Sequence, residues 1–188
     1  MNIVLLSGSV VGSNTKAALT YVEEILKNKA PNATITFLDL AQYDVRFSDG
    51  RHYFEYEGDT KFVAETLMAA DIILIGTPVF QASIPAPLKN IFDLLPVYGL
   101  RDKVVGILAT AGSQKHYLVM EQQLKPILFY MKAHIVPTYV FIEEKDILRK
   151  KIINDDTLFR LDRLVEDTFD LREANAFIKE KKEAEFDF

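Results

Sequence analysis

The chain contains no cysteine, which excludes disulfides, thiolate metal sites and any thiol-based redox mechanism. Redox chemistry here would have to be carried by a bound cofactor. Long hydrophobic runs are missing too: Ile72 to Ile75 is far too short to span a bilayer. Val4-Leu5-Leu6 lacks both the basic flank and the length of a signal core. A cytoplasmic protein with no membrane partner is the expectation. Positive charge is not in excess, since 22 Lys and Arg against 27 Asp and Glu leave a formal net charge of −5. That argues against nucleic-acid binding, which needs a basic face, and leaves any anionic ligand to local donors. There is no internal repeat and no low-complexity linker, so residues 1–188 are read as one domain with one sizeable core.

What is present is an alternation of buried strands and amphipathic helices. Asn2 to Ser7 carries the continuous apolar run Ile3-Val4-Leu5-Leu6 of a strand covered on both faces. Ala17, Ala18, Tyr21, Val22, Ile25 and Leu26 follow at helical spacing, behind an N-cap among Ser13, Asn14 and Thr15. Thr34 to Leu38 is a second strand, rich in β-branched residues. After a polar, aromatic stretch come a helix over about 59–70, a third strand over 72–76 and a helix over 87–95. Lys103 to Ala109 is a fourth strand, and a helix over about 116–132 should be kinked by Pro126, leaving the Gln122 carbonyl without its partner. Ile135 to Ile142 closes the sheet as the fifth strand. The pattern from Asp155 to about Lys182 is helical and ends in a charged tail, so 155–188 is either a surface cover or an oligomer arm. Five such strands predict an α/β fold of three layers, with a parallel sheet between two sets of helices.

In that topology the loops after strands one, three and four open on one rim, where ligands bind. They are 7–15, 77–83 and 110–116, each rich in small hydroxyl residues, glycine or proline. The first joins a buried strand to a helix N-terminus, where free N–H groups and the helix dipole favour an anion. Ser9, Ser13, Asn14 and Thr15 could add side-chain donors. A capped helix after a tight turn would read the same way. Neither Gly-x-Gly-x-x-Gly nor Gly-Lys-Ser/Thr is present. In the second loop, Phe80 beside Pro78 and Ser83 suits a planar ring or packs on its own helix. In the third, Gly112 and Ser113 offer amides to polar ring atoms, while His116 is placed to cap as much as to bind. Phe47, Tyr53, Phe54 and Tyr56 could cover a ligand, reach a partner's site or form a satellite core.

The run Thr77-Pro78-Val79-Phe80-Gln81-Ala82-Ser83, with Leu88-Lys89-Asn90, Asp93-Leu94-Leu95-Pro96, Ala109-Thr110-Ala111-Gly112-Ser113, His116 and Leu124-Lys125-Pro126, resembles the NADPH-dependent FMN reductase family. The likeness covers about residues 1–145 and is strongest to members that supply reduced flavin to sulfonate monooxygenases. It implies a flavodoxin-like sheet of order 2-1-3-4-5. It also implies FMN as cofactor and NADPH or NADH as hydride donor to flavin N5. The final acceptor would be free flavin, a quinone, an azo compound or another small molecule. Phosphate contacts are implied for Ser9, Ser13, Asn14 and Thr15, with Ser7 and Val11 in the same cradle. Pro78, Val79, Phe80, Gln81 and Ser83, with Thr110, Ala111, Gly112, Ser113, Gln114 and His116, would surround the ring system. No catalytic acid, base or metal is required. The resemblance further implies a homodimer or homotetramer. Since Ser9 to Thr15 is also similar to the flavodoxin phosphate loop, an electron carrier without pyridine-nucleotide activity is the alternative. Departures from the family pattern are Val10 and Val11 where Arg is usual, Phe80 for Tyr, Ala111 for Gly, and Gln122 where the sulfonate-linked branch inserts a Tyr.

Overall fold

The computed structural model describes residues 1–186. Its central sheet is built from β1 (Asn2–Ser7), β2 (Thr34–Asp39), β3 (Ile72–Pro78), β4 (Val104–Ala111), β5 (His134–Ile135) and β6 (Val140–Glu143). The order is β2-β1-β3-β4-β5, every pairing is parallel, and β6 continues along β4 beyond β5. This is the expected order.

Side-chain alternation decides which helices cover which face. Ile3, Leu5, Ile72 and Leu74 point toward α1 (Asn14–Lys29) and α5 (Asp155–Phe186), meeting Leu19, Val22, Leu161 and Val165. Val4, Leu6, Ile73 and Ile75 point the other way, toward α2 (Gly58–Met68) and α3 (Ala86–Leu94). Gly76 sits where α1 comes closest to the sheet: a Cβ there would lie 2.8 Å from Leu19 and 2.9 Å from the Thr15 methyl. Its lack of a side chain lets the first turn of α1 rest directly on β3.

Two elements differ from the sequence expectation. The fifth strand is split because Pro137 has no N–H to give the ladder. The chain leaves β4 after Val136 N–H bonds the Val105 carbonyl, and rejoins it at Val140 opposite Leu108. The carbonyl of Pro137 accepts a hydrogen bond from the buried Lys125 ammonium at 2.8 Å, which holds the excursion in place. The helix expected over 116–132 is instead a 3₁₀ turn at Gln114–His116, a π-helical turn at Met120–Leu124, and α4 (Lys125–Tyr130). Pro126 occupies the start of α4, where a missing N–H costs little, and the wider π turn takes up the irregularity ahead of it. A short antiparallel hairpin, β7 (Ile147–Leu148) and β8 (Lys151–Ile152), precedes α5 and was not legible as strand.

Candidate functional site

The three rim loops are laced together by backbone hydrogen bonds. The Gly8 N–H donates to the Gly76 carbonyl at 2.8 Å, and the Val79 N–H donates to the Thr110 carbonyl at 2.9 Å. Beneath them the hydroxyls of Thr15 and Thr110 meet at 2.7 Å in a buried hydrogen bond. The loops therefore form one rigid rim, and between them lies a cleft of about 360 Å³.

At one end of this cleft is the N-terminus of α1. Ser13 is the N-cap, yet its side chain makes no capping bond, and the first turn holds no acidic residue. The N–H groups of residues 12–16 donate to no protein acceptor among the described residues. A helix end normally finds partners for these donors in side chains, water or a ligand. Here they open with the Ser13 and Asn14 side chains onto the cleft, and the helix dipole adds partial positive charge. This is a donor set for an anion without a cation. With Val10 and Val11 at 49% and 60% exposure where the family tends to carry Arg, no Lys, Arg or His among the described residues lines the cleft.

The other walls are apolar and stiff. Pro78 and Val79 end β3, and Phe80 pairs with Ser83 through reciprocal backbone bonds of 3.0 and 2.9 Å. Gln81 and Ala82 between them have φ of 49° and 58°, the signature of a tight two-residue turn. Phe80 is 41% exposed, on the cleft rather than folded into the core. Opposite it, Thr110, Ala111 and Gly112 form the third wall. Ala111 does not have a positive φ, so its methyl in place of glycine costs no backbone strain.

Of the expected residues, Val11, Ser13, Asn14, Thr15, Pro78, Val79, Phe80, Thr110, Ala111 and Gly112 line the cleft together. Ser7, Ser9, Gln81, Ser83, Ser113, Gln114 and His116 lie behind or beside it. Ser9 is buried, its hydroxyl donating to the Val11 carbonyl and accepting from the Val11 N–H, so it shapes the loop. Ser83 closes the turn at Phe80. The Ser113 hydroxyl accepts from the Lys115 N–H, and His116 ends the same 3₁₀ turn. The amide of Gln114 donates to the Glu143 carboxylate at 2.7 Å. Sequence reasoning missed Gly12 as a wall residue, and Glu144, the one charged side chain in the lining. Glu144 follows β6, so the rule that selected the other loops, position past a strand's carboxyl end, would have found it.

Comparison with known proteins agrees with this geometry. The family model described as NADPH-dependent FMN reductase matches residues 1–146. The NAD(P)H-dependent FAD/FMN reductase of Geobacillus thermodenitrificans is 43% identical over 141 residues, which are 75% of this chain and 76% of that protein. The NADH-dependent FMN reductase SfnF of Pseudomonas putida is 25% identical over 167 residues, 88% of this chain and 90% of that one. Among solved structures, the apo form of an NADH:FMN oxidoreductase superposes with a TM-score of 0.74 at 22% identity, covering 92% of this chain and 89% of its own. An archaeal flavodoxin gives 0.59 at 15% identity, with 94% and 99% covered. At such identities the structures speak for the fold, which is flavodoxin-like. By sequence, the chain belongs to the NADPH-dependent FMN reductase family.

Proposed function

We propose that the cleft is an FMN site and that the chain works there as an NAD(P)H-dependent oxidoreductase. The observation that carries this reading is the convergence of the uncapped α1 N-terminus with two rigid apolar loops on one cleft. The donor set fits a phosphate monoester, and the walls fit a planar ring. When bound, FMN would supply the two-electron chemistry, taking hydride from NADPH or NADH and releasing it to free flavin, a quinone, an azo compound or another small acceptor.

The protein's part is to hold and orient. The N–H groups of residues 12–16 and the Ser13 and Asn14 side chains would bind the phosphate. Pro78, Val79 and Phe80 on one side and Thr110 to Gly112 on the other would fix the ring and keep water from one face. Glu144 offers an acceptor close to Gly112, where a ring N–H could be received. No residue needs to move a proton. Ser9, Ser83 and Ser113 shape the loops through their hydrogen bonds, and Gln114 ties the third loop to Glu143.

The test is spectroscopic. Purified protein should be yellow or take up added FMN, and anaerobic NADPH or NADH should bleach it. A protein that takes up no FMN would overturn the assignment. A yellow protein bleached by neither nucleotide would be an electron carrier instead. We further propose one cytoplasmic domain that associates as a homodimer or homotetramer. The support is an apolar groove between α3 and α4, beside which Val97 and Tyr130 are each 66% exposed. Among the described residues no helix is long and apolar enough to cross a membrane. Sedimentation as a stable monomer would refute the oligomer.

A further inference from the structure

Among the described residues that line the flavin cleft, Glu144 is the one with a charged side chain. We propose that Glu144 sets the redox balance of the bound flavin. Its carboxylate makes the site hold oxidised FMN more tightly than reduced FMN, so that electrons taken from the nicotinamide are passed outward rather than kept. The inference rests on the FMN assignment made above.

Placement singles this acid out. Glu144 opens a 3₁₀ turn, Glu144–Asp146, that follows β6 at the carboxyl end of the sheet. The backbone is pinned on each side of it. Before it, the Glu143 carboxylate accepts from the Gln114 amide and pairs with Lys145, each at 2.7 Å. After it, the buried Asp146 accepts from the Glu143 N–H at 3.1 Å and from the Asn154 amide at 3.0 Å. Of the three acids at this turn, Glu143 and Asp146 hold its shape, and Glu144 is left to the cleft. Gly112 keeps the approach open, since a Cβ built there would lie 3.8 Å from Glu144 Oε2.

Charge balance gives the placement its meaning. Hydride transfer moves two electrons and one proton from the nicotinamide, which becomes a pyridinium cation, to flavin N5. The flavin ring thereby gains one negative charge, which only a further proton from solvent would remove. A site that retains reduced flavin sets cations or N–H donors beside that developing charge. Here no Lys, Arg or His among the described residues lines the cleft. Lys145, next to Glu144 in the chain, is tied to Glu143 instead. The free N–H groups of α1 lie at the phosphate end, where the ligand's charge is the same in both redox states. Beside Gly112, at the ring end, stands a carboxylate that repels the charge reduction adds.

The experiment measures the Kd for oxidised FMN and, anaerobically, for dithionite-reduced FMN. It adds the midpoint potential of bound FMN against a reference dye, and covers wild type, Glu144→Gln, Glu144→Asp and Glu144→Lys. Wild type should bind reduced FMN more weakly than oxidised FMN. Glu144→Gln keeps an acceptor oxygen and loses only the charge. It should lower the ratio of reduced to oxidised Kd by about threefold to tenfold, which raises the two-electron potential by about 15–30 mV. The effect is held to this range because Glu144 is exposed and water screens it. Glu144→Asp should stay within about twofold of the wild-type ratio, and Glu144→Lys should move further than Glu144→Gln in the same direction. Wild type that holds reduced FMN as tightly as oxidised FMN would overturn the proposal. So would a potential that fails to rise in Glu144→Gln, or one that shifts as much in Glu144→Asp. A weaker Kd for oxidised FMN at an unchanged potential would make Glu144 a contact only, and would overturn it too. If wild type binds FMN and the potential does not respond to charge, the Glu144 assignment alone fails. If no FMN binds, the flavin reading fails with it.

Discussion

Thr15, in the first turn of α1, and Thr110, near the end of β4, share one buried hydrogen bond between their hydroxyls at 2.7 Å. The bond spans 95 residues of sequence and joins the first rim loop to the third beneath the proposed flavin site. Replacing either residue by the isosteric valine strands the other hydroxyl in a buried place, at a cost of about 1–3 kcal/mol. Replacing both removes the donor and acceptor together, so Thr15→Val/Thr110→Val should cost clearly less than the sum of the singles. Urea unfolding of the four proteins in a double-mutant cycle measures this. Additive losses would mean that the hydroxyls act independently.

The uncapped N-terminus of α1 gives a prediction in which stability and binding move in opposite directions. Ser13→Asp supplies a carboxylate to a helix end that has no side-chain cap and no acidic residue in its first turn. The flavin-free protein should gain about 0.5–1 kcal/mol, read as a higher melting temperature. The same carboxylate would repel the phosphate and compete for its donors, so FMN affinity should fall by about tenfold or more. An unchanged FMN affinity would place the phosphate elsewhere.

The sheet order and the three rim loops were legible because strands buried on both faces read as continuous apolar runs, such as Ile3 to Leu6 and Ile72 to Ile75. The loops at their carboxyl ends stood out by contrast. The break in the fifth strand was written in Pro137 but hidden by the apolar residues on either side of it. The π turn at Met120–Leu124 has no sequence mark of its own beyond Pro126 after it. Two-residue strands such as β7 and β8 are too short to show an alternation. Within the loops, composition could not separate residues that face the cleft from those that shape it. Ser9 and Ser13 look alike in sequence, yet one hydroxyl is consumed by Val11 and the other is free of any cap.

Gly76 tests how tightly the cleft depends on the seat of α1. In Gly76→Ala the new methyl would fall 2.8 Å from Leu19 and 2.9 Å from the Thr15 side chain, closer than carbon atoms tolerate. The helix must move outward, at a cost of about 1–3 kcal/mol, or a fall of roughly 2–10 °C in melting temperature for a chain of this size. Because Thr15 moves with the helix, FMN affinity should weaken as well. A variant as stable as the parent would show that the first turn of α1 adjusts without strain.

Glu143 gives the third loop a pH dependence. Its carboxylate accepts from Lys145 and from Gln114, each at 2.7 Å. The Lys145 bond, followed by that from Gln114, holds its pKa below the ordinary 4.5. A carboxyl whose folded pKa is depressed adds stability that is fully present above its unfolded value and is lost as pH falls through the folded one. The stability difference between wild type and Glu143→Gln, measured by urea unfolding, should therefore be constant above pH 4.5 and shrink as the pH drops further. Its size should be small and reduced by salt, since the Lys145 side chain is largely exposed. A difference that widens on acidification would show that the charged carboxylate is not what tethers Gln114, and would remove Glu143 from the support of that loop.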